Sequence, residues 1–137
     1  METLIWDEKL LSVGVMQFDN EHKFLIKYLN ELNDAIKIGS SQTIMEEILV
    51  KIMHYTKSHF AHEEKYMTRY NYPGYEAHRQ EHAMLTEQVN DFYTRFTQKK
   101  ASFSLELIRF LYGWLTKHIL GTDMKYKEFF SKLQESI

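Results

Sequence analysis

The sequence predicts an all-α fold: an up-down-up-down four-helix bundle with an N-terminal arm and a short C-terminal helical segment. Three observations carry this. In 137 residues there are one Pro and five Gly, which leaves little material for turns and favours a few long elements. Apolar residues return in alternating steps of three and four over four long stretches. Only short polar or Gly/Pro-containing breaks separate those stretches, the connection length of antiparallel neighbours. The chain forms one domain, 1–137, large enough to bury a core, with no internal repeat or linker.

The elements follow in order. Residues 1–17 lack a sustained period and read as an arm, with Trp6, Leu10 and Val13 or Val15 packing onto the body. The first helix occupies 18–38, through Phe18, His22, Leu25, Leu29, Leu32 and Ile36. Gly39-Ser40-Ser41 ends it, the glycine as C-cap and a serine as the next N-cap. The second helix, 42–70, has an inner face through Ile48, Ile52, Tyr55, His59, Glu63, Tyr66 and Tyr70. Asn71-Tyr72-Pro73-Gly74 is a turn. The third helix, 75–98, runs through Tyr75, His78, His82, Leu85, Val89, Phe92 and Phe96. Lys99 to Ser104 is a polar break in which Ser102 or Ser104 can cap the fourth helix, 104–120, carrying Ile108, Leu111, Leu115 and His118. A last segment, 123–134, is helical in period through Tyr126, Phe129, Phe130 and Leu133.

Composition excludes several functions. A net charge of −2 shows no bias toward nucleic acid or anionic membrane. No stretch approaches the length of a membrane span, and the N-terminus, with early acids and no long apolar run, is no signal peptide. The absence of Cys rules out disulfides, thiolate metal sites and a cysteine nucleophile. The expectation is a soluble cytoplasmic protein, and a monomer, since no large exposed apolar stripe is evident.

Five of the seven histidines form a pattern with two acids. His22 stands alone, His59 and Glu63 are four apart, as are His78 and His82, and Asp123 follows His118 by five. A spacing of four stacks two side chains on one helix face. His22 and His78/His82 lie near the starts of the first and third helices, His59/Glu63 and His118/Asp123 near the ends of the second and fourth. In an up-down bundle these positions share one end, with depths that agree to within roughly two turns at 1.5 Å rise per residue. Imidazole and carboxylate without thiolate suit iron or another first-row metal. Two octahedral ions need twelve positions. Five imidazoles, two bridging carboxylates and one bridging oxide or hydroxide fill eleven, so one position stays open for a small diatomic ligand.

These residues and their surroundings resemble the hemerythrin family, the single-domain bacteriohemerythrins in particular. The match runs through Trp6-Asp7 and Ser12-Val13-Gly14-Val15, then Asp19-x-x-His22-Lys23-x-Leu25 and Asn30. It continues through His59-Phe60-x-x-Glu63-Glu64, Tyr72-Pro73, His78-x-x-x-His82 and His118-Ile119-x-x-x-Asp123-x-x-Tyr126. The resemblance implies a non-haem di-iron centre bridged by oxide or hydroxide. One iron would take His78, His82 and His118; the other would take His22 and His59 and keep the vacancy. Glu63 and Asp123 would bridge them. It further implies reversible O2 binding, with one electron drawn from each metal and the proton from the bridging hydroxide. Helical proximity and the resemblance together nominate Leu25, Phe60, Trp114, Leu115 and Ile119 as the O2-pocket wall. The role implied is an oxygen carrier, store or delivery protein, which could serve an O2-consuming enzyme, and not an enzyme itself. The alternatives are a di-iron enzyme acting on O2, peroxide or nitric oxide, and an O2 sensor.

One spacing conflicts with an ideal helix. Five residues rotate Asp123 about 140° from His118, so a π-bulge or loosened turn is expected around Gly121-Thr122. His54, about 140° around from His59, is expected at the surface. His62, about 60° off, is a non-ligand within reach of a hydrogen bond to the ligand shell. Glu64 and Glu81 are expected as surface carboxylates. The run His62-Glu63-Glu64-Lys65-Tyr66 lacks the second histidine of an HExxH zinc motif. The Glu-x-x-His pairs of ferritin-like oxidases are absent as well.

Overall fold

A computed structural model describes residues 4–98 and 103–135. Its helices are α1 (Glu8–Leu11), α2 (Met16–Lys37), α3 (Gln42–Arg69), α4 (Tyr75–Thr97), α5 (Phe103–Lys117) and α6 (Met124–Glu135), with a π-helical segment, His118–Asp123, joining the last two. Among the described residues there is no strand. Helix α2 packs on α3, α3 on α4, α4 on α5 and α5 on α2, closing the four-membered ring of an up-down-up-down bundle. No helix among the described residues is long and apolar enough to cross a membrane.

Local chemistry explains the boundaries. Gly39 takes φ +70° just after α2, and Ser40 N–H returns to Ala35 O at 2.9 Å, closing the helix on a left-handed residue. Ser41 Oγ then accepts from Ile44 N–H and starts α3. Asn71, at φ +57°, does for α3 what Gly39 does for α2, with Tyr72 N–H donating to Met67 O at 2.9 Å. The cap considered at Ser102 or Ser104 falls outside the residues and side chains described.

The arm is more ordered than its lack of period suggested. Asp7 caps a single helical turn, accepting from the N–H groups of Lys9 and Leu10. That turn reverses one expectation. Leu10 points outward, 62 % exposed, and Leu11 is buried in its place at 5 %. Helix α2 also starts earlier than expected, at Met16. Buried Asp19 draws the arm onto it by accepting Ser12 Oγ–H at 2.6 Å and Val13 N–H at 2.8 Å. Asn30 fixes the arm higher up through a pair of bonds to the Leu4 backbone and accepts the Tyr112 hydroxyl at 2.5 Å.

The core runs the length of the bundle. Phe18, Leu25, Leu29 and Leu32 of α2 meet Leu49, Ile52, Phe60 and Met67 of α3, with Leu107, Ile108, Leu111 and Leu115 from α5. The inner face of α3 keeps Ile52, His59 and Glu63 as expected but is rotated by one position elsewhere. Leu49, Thr56, Phe60 and Met67 are buried, whereas Ile48, Tyr55, Tyr66 and Tyr70 lie at the flanks. Tyrosines suit such borders because the ring can pack while the hydroxyl reaches water.

The fourth and last segments are also not separate. A helical run passes from Phe103 to Glu135 without a break because the π-helical turn keeps the backbone bonded where the sequence suggested a gap. Tyr126 and Phe130 of α6 thereby reach the core, both fully buried, with Tyr126 edge-on to Phe18 and Phe130 edge-on to Tyr66.

Candidate metal centre

All seven nominated side chains are buried, none more than 3 % exposed, at the end of the bundle where α2 and α4 begin and α3 and α5 finish. They form two interlocking groups. Donor atoms of Glu63, His78, His82, His118 and Asp123 lie within 4.8 Å of one another, and so do those of His22, His59, Glu63 and Asp123. Glu63 and Asp123 belong to both.

The distances define the arrangement further. Asp123 divides its oxygens: Oδ1 lies 3.0 Å from Nε2 of both His78 and His118, and Oδ2 lies 3.1 Å from Nε2 of His22. Glu63 presents Oε1 to both groups, 3.2 Å from His82 Nε2 and 3.4 Å from His59 Nε2. The Nε2 atoms of His82 and His118 face each other at 3.2 Å. The five-residue step from His118 to Asp123 is accommodated by the π turn, whose i to i+5 bonding brings residues five apart onto one face. The distortion expected at Gly121-Thr122 is therefore present and extends over His118–Asp123.

Close as they are, many of these atoms lack a hydrogen-bond partner. Both ring nitrogens of His22, Nε2 of His59 and His78, Oε1 of Glu63 and both oxygens of Asp123 are buried without one. Buried polar atoms left in this way are costly, on the order of 1–3 kcal/mol each. The electrostatics are correspondingly strong. Burial disfavours charge on His118, but Asp123, Glu81 and Glu63 outweigh it and raise its pKa to about 10. His78 is raised to about 9 against the same burial, through Asp123 and Glu63. Burial and the neighbouring Asp123 push the Glu63 carboxyl up, yet His59, His78 and His82 hold it well below its ordinary value. A field that favours a proton on these rings favours any cation placed among them.

Three glutamates stand around the cluster, and two of them differ from expectation. Glu64 and Glu81 are not free surface carboxylates. Each is about a quarter to a third exposed and hydrogen-bonds a histidine of the cluster: Glu64 Oε2 lies 3.1 Å from His82 Nδ1, and Glu81 Oε1 lies 3.0 Å from His118 Nδ1. Glu21, not singled out before, sits 2.7 Å from His59 Nδ1 and 2.5 Å from Nδ1 of His62. These contacts leave Nε2 of the three rings turned to the centre, the arrangement by which outer carboxylates orient metal-binding imidazoles. Hydrogen bonding from His118 and Thr122 carries Glu81 down to about 2. Glu21 is pushed up by burial and pulled lower overall by His59 and His62. His62 itself is 45 % exposed and turned to Glu21, and His54 is exposed.

The five wall candidates are buried: Leu25, Leu115 and Ile119 at 1 %, Phe60 at 4 % and Trp114 at 6 %. Phe60 stacks on His82 with centroids 3.7 Å apart and planes 6° from parallel, and Trp114 lies parallel to His118 at 6.5 Å. A further contact had no counterpart in the spacing pattern. The Tyr126 hydroxyl donates to Glu63 Oε2 at 2.5 Å.

Known proteins are similar to this chain in sequence and fold. The hemerythrin HHE cation binding domain matches residues 13–130. A bacteriohemerythrin of Stenotrophomonas maltophilia (strain R551-3) is 33 % identical over 128 residues, 93 % of this chain and 82 % of the relative. A myohemerythrin of Theromyzon tessulatum is 35 % identical over 122 residues, 89 % of each. A crystal structure of wild-type hemerythrin superposes with a TM-score of 0.86 at 26 % identity, covering 93 % of this chain and 97 % of that one.

Proposed function

Because the chain belongs to the hemerythrin family, we propose that it binds O2 reversibly at a non-haem di-iron centre and serves as an oxygen carrier, store or delivery protein. The observation that carries this is the sharing of Glu63 and Asp123 between two buried donor groups. His78, His82 and His118 would hold one iron and His22 and His59 the other, with both carboxylates reaching across.

The residues present fit such a pair. Neighbouring donors about 2.1 Å from an octahedral ion sit about 3.0 Å apart. The contacts between Asp123 and His22, His78 and His118 fall at 3.0–3.1 Å. Ions among them would also satisfy the partnerless nitrogens and oxygens that face one another here. Held by these residues, two irons with a bridging oxide or hydroxide would supply the electrons and the site that reversible O2 binding needs, the iron of His22 and His59 being the one with fewer protein ligands.

The chain's own part is orientation and exclusion. Glu21, Glu64 and Glu81 hold the rings of His59, His82 and His118, and Tyr126 holds Glu63. Buried Leu25, Phe60, Trp114, Leu115 and Ile119 would form an apolar wall, a role supported by the contacts of Phe60 with His82 and Trp114 with His118. Such a wall keeps out the water and protons that would drive irreversible oxidation, which favours release of O2 over its consumption. A recipient enzyme that consumes O2 would suit a delivery role.

Repeated cycling tests the carrier reading. The reduced protein, exposed to O2 and then purged, is expected to return to its starting spectrum over several cycles. Steady consumption of O2, peroxide or nitric oxide with an electron donor would replace the carrier with an enzyme.

A further inference from the structure

We propose that Glu81 is a positioning residue that sets the π register at the end of the fourth bundle helix and so delivers His118 and Asp123 to one centre. The inference rests on the di-iron reading of those two residues.

Glu81 lies on α4, beside His82, and does not itself belong to either donor group. Its Oε1 accepts the Nδ1 proton of His118 at 3.0 Å. The Thr122 hydroxyl donates to the same carboxylate, 2.6 Å from Oε1 and 2.6 Å from Oε2. One half-buried side chain from a neighbouring helix therefore grips the first and fifth residues of the six-residue π segment. The next residue is Asp123, whose Oδ1 comes to rest 3.0 Å from His118 Nε2.

The grip meets a specific need. A regular α-helix would turn Asp123 about 140° away from His118. A π turn cures that rotation but is a rare geometry, found mostly at functional sites. Gly121 within the segment weakens the local preference for regular helix and does nothing to select the π register. Glu81 selects it from outside, because His118 and Thr122 can share one carboxylate only at a fixed separation. The ring of His118 is oriented by the same bond, with Nε2 facing inward.

Three variants of the full chain test this after anaerobic loading with ferrous iron. Iron per chain, iron loss to a chelator and the visible spectrum of the oxygenated protein are read for each. Glu81→Ala is expected to hold iron about 10–100-fold more weakly and to alter the spectrum. Glu81→Gln keeps an acceptor for both donors and is expected to restore most of the retention. Thr122→Val keeps the bond to His118 and removes the second grip; it is expected to fall between wild type and Glu81→Ala.

Equal impairment of Glu81→Ala and Glu81→Gln would overturn the proposal in favour of a charge effect. Wild-type retention and spectrum in either Glu81→Ala or Thr122→Val would overturn the register role. Thr122→Val decides alone should Glu81→Ala fail to fold. Failure of the wild-type chain to load two irons would strike the di-iron reading itself, an outcome distinct from a fully loaded Glu81→Ala.

Discussion

Tyr126 and Glu63 are 63 positions apart in sequence, both fully buried, and joined by a 2.5 Å hydrogen bond between the phenol and Oε2. The bond ties α6 to α3 at the carboxylate that both donor groups share. Glu63 Oε2 is thereby held from outside the cluster 3.9 Å from His22 Nε2, while Oε1 faces His59, His78 and His82.

Replacing Tyr126 by Phe leaves the ring packing against Phe18 and His78 and removes only this bond. A hydrogen bond to a charged acceptor contributes on the order of 1.5–3 kcal/mol. Tyr126→Phe is expected to lower stability by about that amount in chemical denaturation of the iron-free protein, and to hasten iron loss to a chelator. An unchanged denaturation midpoint and unchanged iron retention would show that Glu63 does not depend on the phenol.

Asp19 anchors the arm through Ser12 Oγ and Val13 N. Asp19→Ala strips both bonds and leaves the Val13 N–H, in a buried position, without its acceptor. A loss of roughly 1–3 kcal/mol is expected, against about 0.5–1.5 kcal/mol for Ser12→Ala, which removes the bond to Asp19 and the longer, exposed bond from Gly14 N–H but leaves Val13 N–H its acceptor. Urea unfolding of the two variants gives the order; a larger loss from Ser12→Ala would contradict it.

Most of the bundle was readable from residues. The period marked Phe18, Leu25, Leu29 and Leu32, and caps at Gly39 and Ser41 stood where a left-handed residue and a short hydroxyl are wanted. His59/Glu63 and His78/His82 were legible from a helical spacing of four, and His22 and His118 from a common depth, both one-dimensional properties; Asp123, five beyond His118, fits only with a local distortion. What escaped depends on rotation and on partners. Leu10 and Leu11 exchange roles through one short capped turn, which leaves no periodic trace. The face of α3 was placed by its tyrosines, which pack at borders and not at the centre of a stripe. Glu64 and Glu81 looked like surface acids because each directly adjoins a cluster residue in sequence, Glu63 and His82 respectively, and so falls off the inner face of its helix. Their partners, His82 and His118, lie on different helices and can be assigned only in three dimensions. The fourth helix was divided where it is continuous, since Gly121 reads as an end and a π turn has no simple sequence code.

Removing the metal tests the cluster as a stabilising element. Buried atoms of His22, His59, His78, Glu63 and Asp123 then have no partner. A ligand present at about 100 times its dissociation constant stabilises the folded chain by about 2.7 kcal/mol. Iron-free protein is therefore expected to melt roughly 10 °C below the loaded form, with recovery on adding ferrous iron anaerobically. Identical melting of the two forms would argue against binding at the buried cluster.

The central claim is that one chain holds two irons that together bind one O2. Iron and O2 uptake measured on the same anaerobically reduced sample test it most directly. Two irons per chain and one O2 taken up for each pair, released again on purging, are expected. A single iron per chain, or two irons that oxidise without recoverable O2, would contradict it.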